Sequence, residues 1–161
     1  MRENEGTLHG APAGNTATGW LKIIAFVFMV IDHVGRELCG NQHDMRVLGR
    51  IALPIYAWCL IVGFHYTRDV KKYALRLLLV AAVSQPFYVF ALRQPWTSPN
   101  ICMTLLLGFC AMWGIRERKF GSEIWAPVAA VCLATALHAE GGWKAVLFIL
   151  LLYASRERRG A

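Results

Sequence analysis

Apolar residues run along this chain in six blocks, about Trp20–Cys39, Ile51–Tyr66, Tyr73–Leu92, Ile101–Ile115, Ile124–Leu137 and Trp143–Ala154, parted by short polar or basic stretches. Blocks of this kind read as membrane-spanning helices, so the expected fold is all-α, a polytopic bundle of about six spans. Several blocks fall short of the roughly 20 residues that an upright span needs, which leaves re-entrant or half-buried segments open. No solenoid-period repeat and no low-complexity linker divides the chain. The expected organisation is a polar N-terminal tail over residues 1–19, one transmembrane domain over 20–155 and a basic tail over 156–161.

The first block breaks its own pattern. In LKIIAFVFMVIDHVG an Asp32-His33 pair, followed by Arg36, interrupts an otherwise apolar helix. Trp20 stands at the expected interface and Lys22 can snorkel to it. At about 1.5 Å per residue His33 lies roughly 16 Å deeper, near the middle of a hydrocarbon layer about 30 Å thick. Ionisable groups at that depth are expensive and mark function. The alternative ends the helix at Ile31 and leaves the pair in a wet loop. In the third block Pro86 follows Ser84-Gln85, where a missing amide bends a helix and frees a carbonyl. Such a helix either lines a substrate cavity or carries a structural kink. Pro54, near the start of its block, is easily tolerated.

Composition fixes the class: 57% of the residues are hydrophobic and only 17% charged, as in an integral membrane protein. The net charge of +7 does not point to nucleic acid, because the basic residues are confined to segments between apolar blocks. Arg2, Lys22, Arg68, Lys71, Lys72, Arg76, Arg116, Arg118, Lys119, Arg156, Arg158 and Arg159 fall on one side; Arg36, Arg46, Arg50, Arg93 and Lys144 fall on the other. Twelve against five puts both termini in the cytoplasm, with the lipid bilayer as the surrounding partner. The stretch 1–18 lacks the design of a signal peptide. Cys39, Cys59, Cys102, Cys110 and Cys132 are scattered, without metal-ligand spacing, so no metal is expected.

The segments LKIIAFVFMVIDHVG, LGRIALPIYAWCLIVGFHYTRDVKKYALRLLLVAAVSQPF and NICMTLLLG resemble successive blocks of the TraX family, in order and with similar gaps. A weaker echo follows at EGGWKAVLFILLLY. Lys22, Asp32-His33, Gly49-Arg50, Pro54, Gly63, Thr67-Arg68, Tyr73, Arg76-Leu77, Asn100, Thr104 and Gly108 carry the resemblance. It implies a multi-pass inner-membrane protein associated with conjugation, whose best-known relative acetylates a pilin N-terminus with acetyl-CoA. The chain looks like a short form of that family, stopping before further apolar segments, with Glu140-Gly141-Gly142 where relatives carry an acidic-Tyr-Gly turn.

Acyl transfer from a thioester needs a base for the attacking amine or hydroxyl, and imidazole suits that task. His33 is the expected base. Asp32 sits about 100° round the helix from His33; it either orients an imidazole, binds an ammonium, or pairs with Arg36 one turn on. Arg50 can stabilise an oxyanion or snorkel. Arg36, Gln85, Asn100 and Glu140 are candidate substrate contacts. Asn100 with Thr104 equally suits interhelical bonding, and Glu140 a solvated turn. Arg68, Lys71, Lys72 and Arg76 can hold the phosphates of acetyl-CoA as co-substrate, or simply set topology. His65 and His138 lie near span ends and are expected to be interfacial.

Two function classes stay open. One is a membrane acyltransferase acting on an amine or hydroxyl acceptor, such as a pilin or another envelope component. The other is a non-enzymatic assembly or accessory protein of a mobile element. The absent C-terminal segments favour the second, and the costly ionisable groups of the first two blocks favour the first.

Overall fold

The computed structural model describes residues 14–37 and 43–160. Their regular structure is helical, without a strand: α1 (Gly14–Glu37), α2 (His43–Gly49), α3 (Ala52–Tyr66), α4 (Val70–Ala91), α5 (Ile101–Glu117), α6 (Ser122–Ala136) and α7 (Gly142–Gly160), with a 3₁₀ turn at Lys119–Gly121. Three stretches are long and apolar enough to cross a membrane: Thr18–Glu37, His43–Tyr66 and Val70–Ala91. Of the expected N-terminal tail, residues 1–13 lie outside the described residues, as does Cys39. Gly14–Gly19 already belong to α1.

The expected spans appear as helices with shifted ends. α4 starts at Val70, three residues ahead of the expected Tyr73, capped by Asp69, whose carboxylate accepts from the Lys72 amide at 3.1 Å. Asn100 caps α5 in the same way, accepting from the Met103 amide at 3.2 Å. α7 overruns Ala154 and carries the basic tail residues on as helix to Gly160, where cations suit the negative end of the helix dipole. Pro54 stands in the first turn of α3, where no amide donor is lost, and α4 continues through Pro86.

The core lies where α3, α5 and α7 meet. Phe64 packs edge-on against Phe109 at 5.2 Å and Tyr153 at 5.9 Å, and Tyr73 stacks on Phe109 at 4.9 Å. Gly108 lets α7 come close, since a Cβ there would stand 2.8 Å from Ile149 Cδ1. α6 closes the far side through Ala130 and Ala134 against Ala111 and Val146. α1 packs on α2 and α3, and α4 packs on α5. α1 and α4 do not form a packed pair, so a cleft opens between them over a floor of α3 and α5.

α2 is not among the expected elements. It lies back along α1, held there by two close approaches: a Cβ on Gly35 would stand 2.5 Å from Met45 Cβ, and one on Gly49 would overlap Asp32 Cβ. The expected one-turn pair of Asp32 with Arg36 does not form among the described residues. Arg36 Nε instead lies 3.6 Å from the Glu37 carboxylate, while the Asp32 face of α1 is covered by α2.

Candidate functional site

Near one end of the bundle the α2–α3 turn and the α6–α7 turn converge on the last two turns of α1. Gly49 lets the first of them lie directly on Asp32. In the second, Gly141 takes φ +78°, a conformation open to glycine, and the turn is tied down from outside itself. The Glu140 amide donates to Pro99 O at 3.0 Å, and Thr104 Oγ1 donates to Glu140 O at 2.7 Å. Asp32, His33, Arg50, Tyr56 and Glu140 thereby surround a hollow of about 150 Å³.

His33 is the hinge of this arrangement. Its Nδ1 stands 2.6 Å from Met29 O, and because a carbonyl oxygen can only accept, Nδ1 carries the hydrogen. The neutral ring then presents Nε2 as a bare acceptor, the form a general base requires. A backbone carbonyl thus orients the imidazole, one of the roles left open for Asp32. A second hollow, of about 500 Å³, lies between α1 and α4, walled by Met29, Phe87, Tyr88 and Asn100. His33 and Glu140 line both hollows. A third, of about 460 Å³, runs from Lys22 and Arg76 past Tyr73, sharing Tyr56 with the first and Phe26 and Cys102 with the second. Together they trace the cleft from the basic end of the bundle to His33.

Glu140 is drawn inward rather than solvated. Its Oε2 is buried without a hydrogen-bond partner, and burial pushes the carboxyl above its ordinary range, opposed by the neighbouring His33 and by the Arg36 guanidinium. Asp32 adds a smaller upward push. A carboxyl raised in the folded state destabilises it at neutral pH, and the penalty fades as pH falls into the ordinary carboxyl range, where both states are protonated. Glu140→Gln is therefore expected to raise the melting temperature at neutral pH, with the gain shrinking towards pH 4.5, the ordinary value for Glu. Thermal melts of both proteins across that interval check it.

The other expected contacts divide. Arg50 is exposed and lines the small hollow beside His33. Arg36 is half-buried and turned to Glu37. Gln85 and Asn100 spend their polar atoms on the fold. Gln85 Nε2 donates to Ser98 O at 2.8 Å and its Oε1 accepts from the Asn100 amide at 3.0 Å. Asn100 Nδ2 donates to Ala81 O at 2.8 Å and Ser84 Oγ at 2.9 Å, so α5 is fastened to α4 beside Pro86. The four basic candidates are not gathered in one place. Arg76 lines the cleft with Lys22, Lys72 pairs with Asp69 at 3.3 Å, Arg68 is exposed, and Lys71 borders a separate groove between α5 and α6. His65 and His138 are exposed at helix ends. Sequence reasoning missed Tyr56 and Tyr88 as cavity walls; a phenol on an otherwise apolar helix was the available signal.

Comparison with known proteins gives a consistent set of relatives. The family model described as TraX protein matches residues 17–160. The chain is 28% identical over 146 residues to a protein of Dichelobacter nodosus described as "Probable fimbrial assembly protein FimC, serogroup H1", covering 82% of this chain and 59% of that one. It is 34% identical over 126 residues to "Protein TraX" of Escherichia coli (strain K12), covering 72% of this chain and 50% of that one. The chain thus spans about half the length of these curated relatives. No solved structure matches significantly.

Proposed function

This chain belongs to the TraX family, and from that membership we propose that it is a membrane acyltransferase, carrying an acetyl group from acetyl-CoA to an amine or hydroxyl of an envelope component. The observation that carries the reading is His33, with Nδ1 engaged by Met29 O and the ring at the junction of the hollows. In the proposed reaction His33 Nε2 takes the proton as the acceptor attacks the thioester carbonyl, and the Arg50 guanidinium faces the developing oxyanion. Collapse of that intermediate breaks the carbon–sulfur bond, and the proton on His33 passes to the leaving thiolate. The products are the acetylated acceptor and free coenzyme A. The cleft supports a donor whose phosphates stay with Lys22 and Arg76 while its arm reaches His33, about 16 Å away along α1.

The acceptor is proposed to meet His33 and Glu140 from the opposite end. The relative named for fimbrial assembly supports a filament subunit, such as a pilin with a free N-terminal amine, as that acceptor. The basic asymmetry supports a protein of the inner membrane with both termini cytoplasmic, the donor entering from the cytosol. The same relative's name also favours a second reading, in which the chain assists assembly without catalysis.

Val80 tests the donor path. It is 54% exposed and borders the cleft, so Val80→Trp fills the passage without disturbing the core. The expected result is a loss of at least about tenfold in kcat/KM for acetyl-CoA, equivalent to about 1.4 kcal/mol. Unchanged kinetics in well-folded variant would mean that the donor does not use the cleft.

A further inference from the structure

The groove between α5 and α6, about 650 Å³, lies apart from the His33 cleft. Its walls are two helical ridges: Leu107, Cys110 and Gly114 on α5, and Ala126, Ala129 and Leu133 on α6. The small side chains make a smooth apolar trough, and close approach at its floor is fixed by Gly114, where a Cβ would overlap Ala126 Cβ, and by Ser122 Oγ donating to Gly114 O at 2.7 Å. Leu107 to Glu117 spans about 15 Å of helix, and the trough opens sideways through exposed Cys110 and Leu133. The basic end carries a different chemistry. Lys71 of α4 and Lys119 of the connecting turn border the mouth, together with Glu117 and the fully exposed ring of Phe120. Trp113 and Trp125 also line the groove.

The charges at this mouth are unevenly matched. Lys119 Nζ pairs with Glu117 at 2.9 Å, Arg118 with Glu123 at 3.5 Å and Lys72 with Asp69 at 3.3 Å. Among the described residues no carboxylate lies within ion-pair distance of Lys71. A laterally open apolar trough ending in an excess of ammonium groups is complementary to one class of molecule, a phospholipid with a net negative headgroup. We propose that the α5–α6 groove is a specific site for an anionic phospholipid, its acyl chain in the trough and its phosphate between Lys71 and Lys119. The bound lipid fills the gap between two helices and ties α4 to the turn after α5, stabilising the folded form by mass action.

The test uses the full chain reconstituted in vesicles of dioleoylphosphatidylcholine, with and without dioleoylphosphatidylglycerol, and follows the melting of its helical signal. The glycerol lipid is expected to raise the midpoint by about 4 °C in the parent protein. The double variant Lys71→Gln/Lys119→Gln, both exposed positions, should lose most of that rise. Ala129→Phe, with Cys110→Phe as a second choice should it fail to fold, fills the trough while leaving every charge and should lose it too. Glycerol 3-phosphate added to the neutral vesicles should produce no rise. A full rise in the trough-filling variant would reduce the effect to surface charge and overturn the site. So would the absence of a rise in the parent, or a rise with glycerol 3-phosphate equal to that with the lipid.

Discussion

Asn100→Ala is expected to destabilise the fold by about 3 kcal/mol, the sum of a lost helix cap and two lost buried hydrogen bonds at about 1 kcal/mol each. Asn100 is 3% exposed, and its side chain bonds Met103 N, Ala81 O and Ser84 Oγ at once. The same residue's amide binds Gln85, and the neighbouring Pro99 O receives the Glu140 amide. Its loss therefore loosens the loop that holds the α6–α7 turn beside His33. Thermal melts measure the first effect and limited proteolysis of residues 92–100 the second. Asn100→Asp keeps the cap acceptor but loses both Nδ2 donors, so it is expected to remain well below the parent; a midpoint equal to the parent's would show that the α4–α5 link carries no weight.

His33→Ala is expected to lower acyl transfer by about 10²–10⁴-fold while leaving folded yield unchanged. The stability half follows from position: His33 is only half-buried, and its one local bond is to the Met29 carbonyl of its own helix. An alanine there makes α1 more apolar and suits a membrane helix. The activity half follows from the proposed role of Nε2 as the base. Arg50→Lys should be milder than Arg50→Ala if a point charge suffices, and equally damaging if a bidentate fork is required.

The long helices were legible because a membrane span is encoded by length and apolarity, both readable one residue at a time. α2 was not. HDMRVLG is too short and too polar to announce itself, and what holds it is the contact of Gly35 with Met45 and of Gly49 with Asp32 across two helices. The same contact explains why the one-turn spacing of Asp32 and Arg36 misled: spacing permits a pair, but the neighbouring helix decides which face stays open. His33 was legible as an ionisable group within an apolar run, whereas its orientation by Met29 O, rather than by Asp32, depends on a rotamer that sequence does not state. Gln85 and Asn100 were legible as polar but not as fasteners, since their partners lie 13 to 19 residues away. Glu140 was placed in its turn correctly, yet its burial comes from Pro99 and Thr104 on another element. The basic residues look like one cluster along the chain, but the helices turn Arg76 and Lys71 into different grooves.

The most direct measurement is transfer of label from acetyl-CoA, labelled in its acetyl group, to envelope components in membranes containing the chain, with His33→Ala at matched folded yield as the control. Acetyl-CoA-dependent labelling of an acceptor is expected, and it should disappear with His33→Ala. Full labelling by the well-folded variant, or none by the parent, would contradict the acyltransferase reading and leave the assembly reading in its place.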